Sequence, residues 1–326
     1  MASRLLTAVV LCALDAAAAL AAGPAYTNPE KTDADFPFQG EYVGKIKTDD
    51  GEAPVGLQVI ALGGGKFHGV LFRGGLPGDG WNHKTSYDAD GDLTDGAAVI
   101  LGDVIGAKIR DGSAVISKKG GGEIGKLDKI SRSSPTLGAA PPAGAVVLFD
   151  GKTADAFQNG KLTDDGCLAA GCTSNQKFGS GKLHIEFCLP YMPEDRGQAR
   201  GNSGVYLQGR YEVQMLDSFG LKGENNECGG LYEIKAPDVN MCLPPLAWQT
   251  YDIEYTAAKY DGEKLVASPR ITVVHNGVTI HKDVELPGDR STRAAPVKPG
   301  PEPGPIYLQN HGNPARYRNV WVLEAK

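Results

Sequence analysis

Beyond its leader-like first residues, the sequence has no apolar run approaching the ~18 residues that would suggest a membrane-crossing helix. It has no basic cluster, and Asp and Glu outnumber Lys and Arg by 39 to 33, for a net charge of -6. Such a chain has little with which to neutralise phosphate, which argues against a nucleic-acid partner or an anionic membrane surface. No stretch shows the apolar period of an amphipathic helix, and there is no internal repeat. No G-x-S-x-G run is present, so an α/β-hydrolase triad is unsupported. What is abundant is glycine, 44 residues of 326, about twice the usual share of about 7%. It has no Gly-X-Y period, which excludes collagen. With 41% apolar residues the chain can build a core, and its length suits two ordinary domains. Glycine punctuation between short apolar runs predicts β structure.

The first residues read as an address. Arg4 precedes the apolar run 5–14, a small-residue stretch follows, and Ala19-Leu20-Ala21 fits a cleavage site. The pattern predicts a secretory signal peptide over 1–21 and a secreted or periplasmic mature chain. Cys12 would leave with the signal. Cys167, Cys172, Cys188, Cys228 and Cys242 remain, and in an oxidising compartment disulfides are the default. Cys167 with Cys172 and Cys228 with Cys242 could each close a short loop, leaving Cys188 over.

Residues 22–36 are polar and proline-bearing and suit an extended lead-in. Short strand-like runs follow at 40–46, 55–60, 66–72, 97–101, 107–109 and 114–116, separated by Asp/Gly turn clusters. They predict a small antiparallel β barrel or sandwich over 37–131. A Pro/Ala/Gly linker occupies 132–145. From 146 to 326 come further short strands, with Asn276-Gly277 as a two-residue hairpin signal. The fold class is all-β, a two-sheet sandwich behind a smaller β domain.

Several motifs resemble chemistry without carrying it. Gly63-Gly64-Gly65-Lys66 has Ile60 where a phosphate loop needs its first glycine and Phe67 where it needs Ser or Thr. Asp88-Ala89-Asp90-Gly91-Asp92 fails the calcium-loop pattern at Leu93 and Val99, and reads as an acidic turn.

The informative run is Arg210 to Ser218. As a strand it sends Glu212 and Gln214 to one face and Tyr211, Val213 and Met215 to the other. A bulge near Leu216 would bring Asp217 to the side of Glu212. Paired carboxylates beside an amide suit acid–base work on a sugar. The stretch 201–209 is the expected hairpin partner, adding Asn202, Tyr206 and Gln208. A third strand at 182–189 would add His184 and Glu186. Asn310 and His311 follow a late apolar strand.

These residues carry a resemblance. Leu148-Phe149-Asp150-Gly151-Lys152, Asn202-Ser203-Gly204-Val205-Tyr206-Leu207, Gly209-Arg210-Tyr211-Glu212-Val213-Gln214, Asp217-Ser218, Cys228-Gly229-Gly230-Leu231-Tyr232, Trp248 to Ile253, Val274 to Val278 and Gly304 to Trp321 keep the order of the 3-keto-disaccharide hydrolase domain family. The chain resembles that family over about 145–326. The resemblance implies a concanavalin A-like, laminin G-like jelly roll and a carbohydrate substrate. Asn310 stands where the family usually has Asp, and an amide there can bind a hydroxyl or orient His311 but cannot exchange a proton usefully.

The implied chemistry is cleavage of 3-keto disaccharides or glucosides by carbon-2 proton abstraction, elimination and hydration. His311 or Glu212 would be the base and Asp217 the acid or a metal ligand. Arg210 and Gln214 would orient substrate or stabilise the enolate. Glu186, Asn202, Tyr206, Tyr232 and Asn310 complete the expected binding set. A divalent metal ion could act as Lewis acid, although no ligand set is readable. The alternative is a non-catalytic glycan-binding jelly roll, since the fold alone does not decide between them.

Overall fold

The computed structural model describes residues 23–325. The expected signal peptide and Cys12 lie outside these residues. Nearly every described element is a strand, and no helix among them is long and apolar enough to cross a membrane.

Eight strands come first: β1 (Gly40–Thr48), β2 (Gly51–Gly63), β3 (Lys66–Arg73), β4 (Ser86–Thr94), β5 (Ala97–Leu101), β6 (Ile105–Arg110), β7 (Ser113–Lys118) and β8 (Glu123–Ile130). Each pairs antiparallel with the next, and β8 closes on β1 to make a barrel. Alternation drives this closure: Tyr42, Leu57, Val59, Phe67, Ile109 and Ile116 turn inward and are buried. Tight turns join the strands. Asp111 and Gly112 both take positive φ (49° and 74°), the geometry a two-residue β6–β7 hairpin demands.

The barrel corrects one expectation. Residues 88–92 are not an acidic turn but the middle of β4, paired with β3 from Ser86 to Asp92. Asp90 meets His68 across the pair at 2.7 Å, and Asp92 meets Lys66. Acidic residues at 88, 90 and 92 alternate with Tyr87, Ala89 and Gly91. The charges are the solvent side of an ordinary two-residue period.

The remaining strands are β9 (Val146–Phe149), β10 (Phe157–Gln158), β11 (Leu168–Ala169), β12 (Cys172–Phe178), β13 (Gly181–Cys188), β14 (Ser203–Leu207), β15 (Tyr211–Met215), β16 (Trp248–Thr256), β17 (Lys259–Asp261), β18 (Lys264–Ala267), β19 (Arg270–His275), β20 (Val278–Glu285), β21 (Gly304–Leu308) and β22 (Arg316–Glu324). A five-stranded sheet runs β10-β12-β21-β14-β15. A larger sheet runs β11-β22-β13-β16-β19-β20, with β9 also on β22. Val205, Leu207, Val213 and Met215 of the first sheet meet Leu183, Ile185, Phe187 and Ile253 of the second in one core. This is the expected jelly-roll sandwich, and Asn276 and Gly277 make the β19–β20 turn with φ of 50° and 83°.

The proline-rich stretch between barrel and sandwich does not hang free. Residues 134–139 lie on the outer face of the larger sheet. Thr136 Oγ1 donates to Asp252 Oδ2 at 2.6 Å, and the Gly138 amide donates to Glu186 Oε1 at 2.6 Å. At the joint, Ile60, Val70 and Phe72 of the barrel wall cluster with Phe219 of the sandwich.

Among the described residues no pair of cysteine sulfurs stands at disulfide-bonding distance. Cys167, Cys172, Cys188, Cys228 and Cys242 are all free thiols. Cys172 opens β12 facing the sandwich core, while Cys167 sits in the turn closed by Thr163. Cys228 and Cys242 are buried, with the Cys228 thiol against the Tyr251 hydroxyl at 3.3 Å. They pack as small apolar residues.

Candidate functional site

The polar face of the five-stranded sheet is built from β14, β15 and β21. In the β14–β15 register Gly204 faces Gln214 and Tyr206 faces Glu212. In the next pairing Tyr206 faces Tyr307 of β21. Alternation therefore gathers Asn202, Gly204, Tyr206, Glu212, Gln214, Tyr307 and Gln309 on one side, opposite the core-facing residues.

Glu212 is at the centre and is 2% exposed. Its Oε2 accepts from the Tyr206 hydroxyl at 2.6 Å, and Gln309 Nε2 donates to that same hydroxyl oxygen at 3.0 Å. Its Oε1 has no partner. Burial pushes the carboxyl up to about 7. The Tyr206 hydrogen bond opposes that shift, and the nearby charge of Glu233 adds to it. A carboxyl in this state can give or take a proton near neutrality. Gly204 lies directly beneath it, and a Cβ there would collide with Glu212 Oε1.

Two further buried acceptors are without partners, Gln214 Oε1 and Asn202 Oδ1. The other ends of these amides converge on one atom. Gln214 Nε2 and Asn202 Nδ2 both donate to Gln198 Oε1, at 3.2 and 3.1 Å. Orphaned buried acceptors cost free energy unless something donates to them. A sugar hydroxyl is such a donor.

Tyr232 stands beside this face. Its amide donates to the Glu212 carbonyl at 3.2 Å, and burial, Glu233 and Glu212 all raise its hydroxyl pKa. The segment carrying it caps the free edge of β15, with the Gln214 amide donating to the Gly230 carbonyl at 2.9 Å.

The other expected site residues are placed elsewhere. Asp217 lies past the end of β15, and no bulge returns it to the face. Its carboxylate accepts from Arg200 Nε at 2.6 Å, with both side chains buried. Arg200 also donates to the Ala61 carbonyl at 3.3 Å, so this ion pair ties sandwich to barrel.

Glu186 is on β13, in the larger sheet, on the opposite side of the sandwich from Glu212. There it accepts from Arg318 Nε at 2.6 Å, Asn319 Nδ2 at 2.9 Å and the Gly138 amide. Burial alone would raise its carboxyl, but His184 and these donors hold it at about 2. His184, stacked on Trp321, meets Asp252 at 2.6 Å; burial would lower its pKa, yet Asp252 and Glu186 raise it to about 9.

Arg210 sits in the β14–β15 turn and donates to the Lys298 carbonyl at 2.7 Å and to Gln208 Oε1 at 2.8 Å. Gln208 is likewise in the turn, with a φ of 54°, and its side chain is held by Phe178, Arg210 and Tyr255 rather than standing on the face. Asn310 and His311 are exposed on the β21–β22 loop, where Asn310 Oδ1 accepts from the Gly312 amide at 2.9 Å. Among the described residues no group of three or more His, Cys, Asp or Glu is gathered to hold a metal ion.

Sequence reading missed Tyr307, Gln309 and Gln198. The first two were recoverable, because Ile306 and Leu308 face the core and their neighbours must face out. Gln198 lies in a single helical turn with no periodic signal.

Residues 144–323 match the family described as a 3-keto-α-glucoside-1,2-lyase-like domain. A crystal structure from Parabacteroides distasonis ATCC 8503, described as a candidate glycosyl hydrolase, is 32% identical. The match covers 56% of this chain and 85% of that one, with a TM-score of 0.51. A second candidate glycosyl hydrolase structure from the same organism is 15% identical, covering 56% of this chain and 94% of the other, with a TM-score of 0.42. No curated protein matches the chain. Through its sandwich, this chain belongs to the family of 3-keto-α-glucoside-1,2-lyase-like domains.

Proposed function

We propose that the sandwich cleaves glycosides oxidised at carbon 3, in an exported protein, with Glu212 as the proton-exchanging group. The observation that carries this reading is the Glu212 carboxyl, buried, held at about 7 and with Oε1 free. Membership of the family supports the substrate class.

The carbon-3 carbonyl acidifies the carbon-2 proton. Glu212 takes that proton through Oε1, and the C–H electron pair forms the enolate. The enolate then reforms the carbonyl, makes the C1=C2 double bond and expels the glycosidic oxygen, which takes up the proton that Glu212 removed and so returns Glu212 to its carboxylate. Water adds across C1=C2, its oxygen to carbon 1 and a proton to carbon 2. The sum is hydrolysis without an oxocarbenium ion. The Tyr206 hydroxyl positions the carboxylate, and Gln214 and Asn202 accept from sugar hydroxyls. Glu212 is buried in this state, so the face must open to admit a sugar. This reading favours Glu212 over the exposed His311 as base.

The test is turnover of a 3-keto-glucoside in deuterium oxide, with a time-matched enzyme-free control for spontaneous enolisation. Deuterium at carbon 2 of the product above the control supports elimination and hydration. Turnover with carbon 2 unlabelled excludes it.

A further inference from the structure

We propose that the barrel lumen is a second binding site, which takes a small amphipathic carboxylate with its alkyl body inside and its carboxylate at the mouth. An eight-stranded barrel is just wide enough either to be filled by side chains or to hold one small ligand. Here one half is filled and the other is not. At the sandwich end Phe36, Phe38 and Tyr191 pack against the lumen cluster and plug it, with the Phe36 and Tyr191 rings 4.9 Å apart. At the far end a cavity of about 250 Å³ remains. Its wall is made of inward-facing residues, among them Leu57, Leu71, Ile100 and Ile116, and the small side chains of Ala89 and Ala107 leave the space. At Gly69 a Cβ would already lie 2.8 Å from Ile100 Cδ1. The volume exceeds the roughly 150 Å³ in which an apolar cavity holds benzene.

The cavity is open for a reason visible in the register. β4 pairs with β3 along Ser86–Asp92 but with β5 only along Gly91–Thr94. Its first half has no partner on that side, and the wall parts between it and the β5–β6 turn. Tyr87 and Val104, 41% and 58% exposed, stand at the gap. Such apolar exposure beside a cavity marks a binding mouth rather than ordinary surface.

The cavity's own lining carries Asp88 and Asp103, and the basic charge lies next to it. The adjoining open end of the barrel, which shares Leu71, Tyr87 and Val104 with the cavity, presents Lys47, Arg73, Lys118 and Lys119 against Asp49 and Asp103, in a chain whose net charge is -6. Lys118 and Lys119 are committed to Asp49 and Asp103, at 3.7 and 3.1 Å. Among the described residues Arg73 and Lys47 make no ion pair. Arg73 is at an inward-facing position of β3, two residues beyond Leu71, where its guanidinium can take a carboxylate in bidentate fashion. The site is at the opposite end of the barrel from the Phe36–Tyr191 plug, and the proposal does not rest on the sandwich reaction.

The experiment is calorimetric titration of the full chain with octanoate, octanol and octylamine, with intermolecular nuclear Overhauser contacts to locate the bound chain. Octanoate should bind one to one and touch the methyl groups of Ile100 and Ile116. Arg73→Gln should weaken octanoate about tenfold, the scale of one charge-assisted hydrogen bond, and leave octanol unchanged. Ala107→Trp should abolish both. No octanoate binding, contacts outside the lumen, or equal effects of Arg73→Gln on octanoate and octanol would overturn the assignment. The Overhauser contacts decide the matter even if Ala107→Trp does not fold.

Discussion

Glu212 shows how one residue's surroundings set its chemistry. An exposed glutamate titrates near 4.5; this one titrates near 7 because burial disfavours its charge. Glu212→Gln should lower kcat on a 3-keto-glucoside by about 10²–10⁴-fold, the range for loss of a positioned acid or base. The same variant should not unfold the chain, since the amide keeps the shape without the buried charge. Linkage gives a second expectation. A folded pKa above the unfolded value contributes stability below about 4.5 that is lost as pH rises through about 7. The melting temperature of wild type should therefore carry a downward component over that window that is absent in Glu212→Gln, as scanning calorimetry across pH would show. Gly204→Ala should cut activity as well, because its methyl group takes the space of Glu212 Oε1. Retained activity in Gly204→Ala would mean that this carboxylate position is unimportant.

The strands were largely legible in the sequence, and the reasons are specific. Alternation gave β14 and β15, their hairpin and the shared face of Tyr206, Glu212 and Gln214. It could not say which sheet a strand joins. Strand β13 has the same alternating pattern as β14, yet it lies in the opposite sheet, so His184 and Glu186 are on the wrong side of the sandwich to meet Glu212. β4 was hidden because its solvent face is acidic throughout. Asp217 was misplaced because a chain leaving a strand end can turn anywhere, and here it turns to Arg200. The His184–Glu186 cluster instead clamps residues 134–139 onto β13. His184, raised to about 9, contributes stability that is full below about 6.5 and lost as pH rises through 9. Glu186, lowered to about 2, contributes stability that is full above about 4.5 and lost as pH falls through 2. His184→Gln should flatten the fall in melting temperature between pH 6.5 and 9, measured by circular dichroism. An unchanged slope would show that the clamp does not titrate as a unit.

At the scale of the molecule, barrel and sandwich share a joint whose central ion pair is Arg200–Asp217. Both charges are buried, so Asp217→Ala leaves the guanidinium uncompensated and should cost about 3–5 kcal/mol of stability in urea unfolding. At a temperature where it stays folded, this variant should keep near wild-type kcat, which separates a structural carboxylate from a catalytic one. The sandwich brings one family-motif carboxylate, not two, onto its polar face, and the proposed reaction requires that carboxylate to exchange a proton. The most direct measurement is the pH dependence of kcat/KM for a 3-keto-glucoside, compared with the rate of Glu212→Gln at the optimum. The wild type should show an inflection near 7, and the variant should lose at least about a hundredfold. An inflection only near the ordinary carboxylate value, or a variant as fast as wild type, would contradict the proposed reaction.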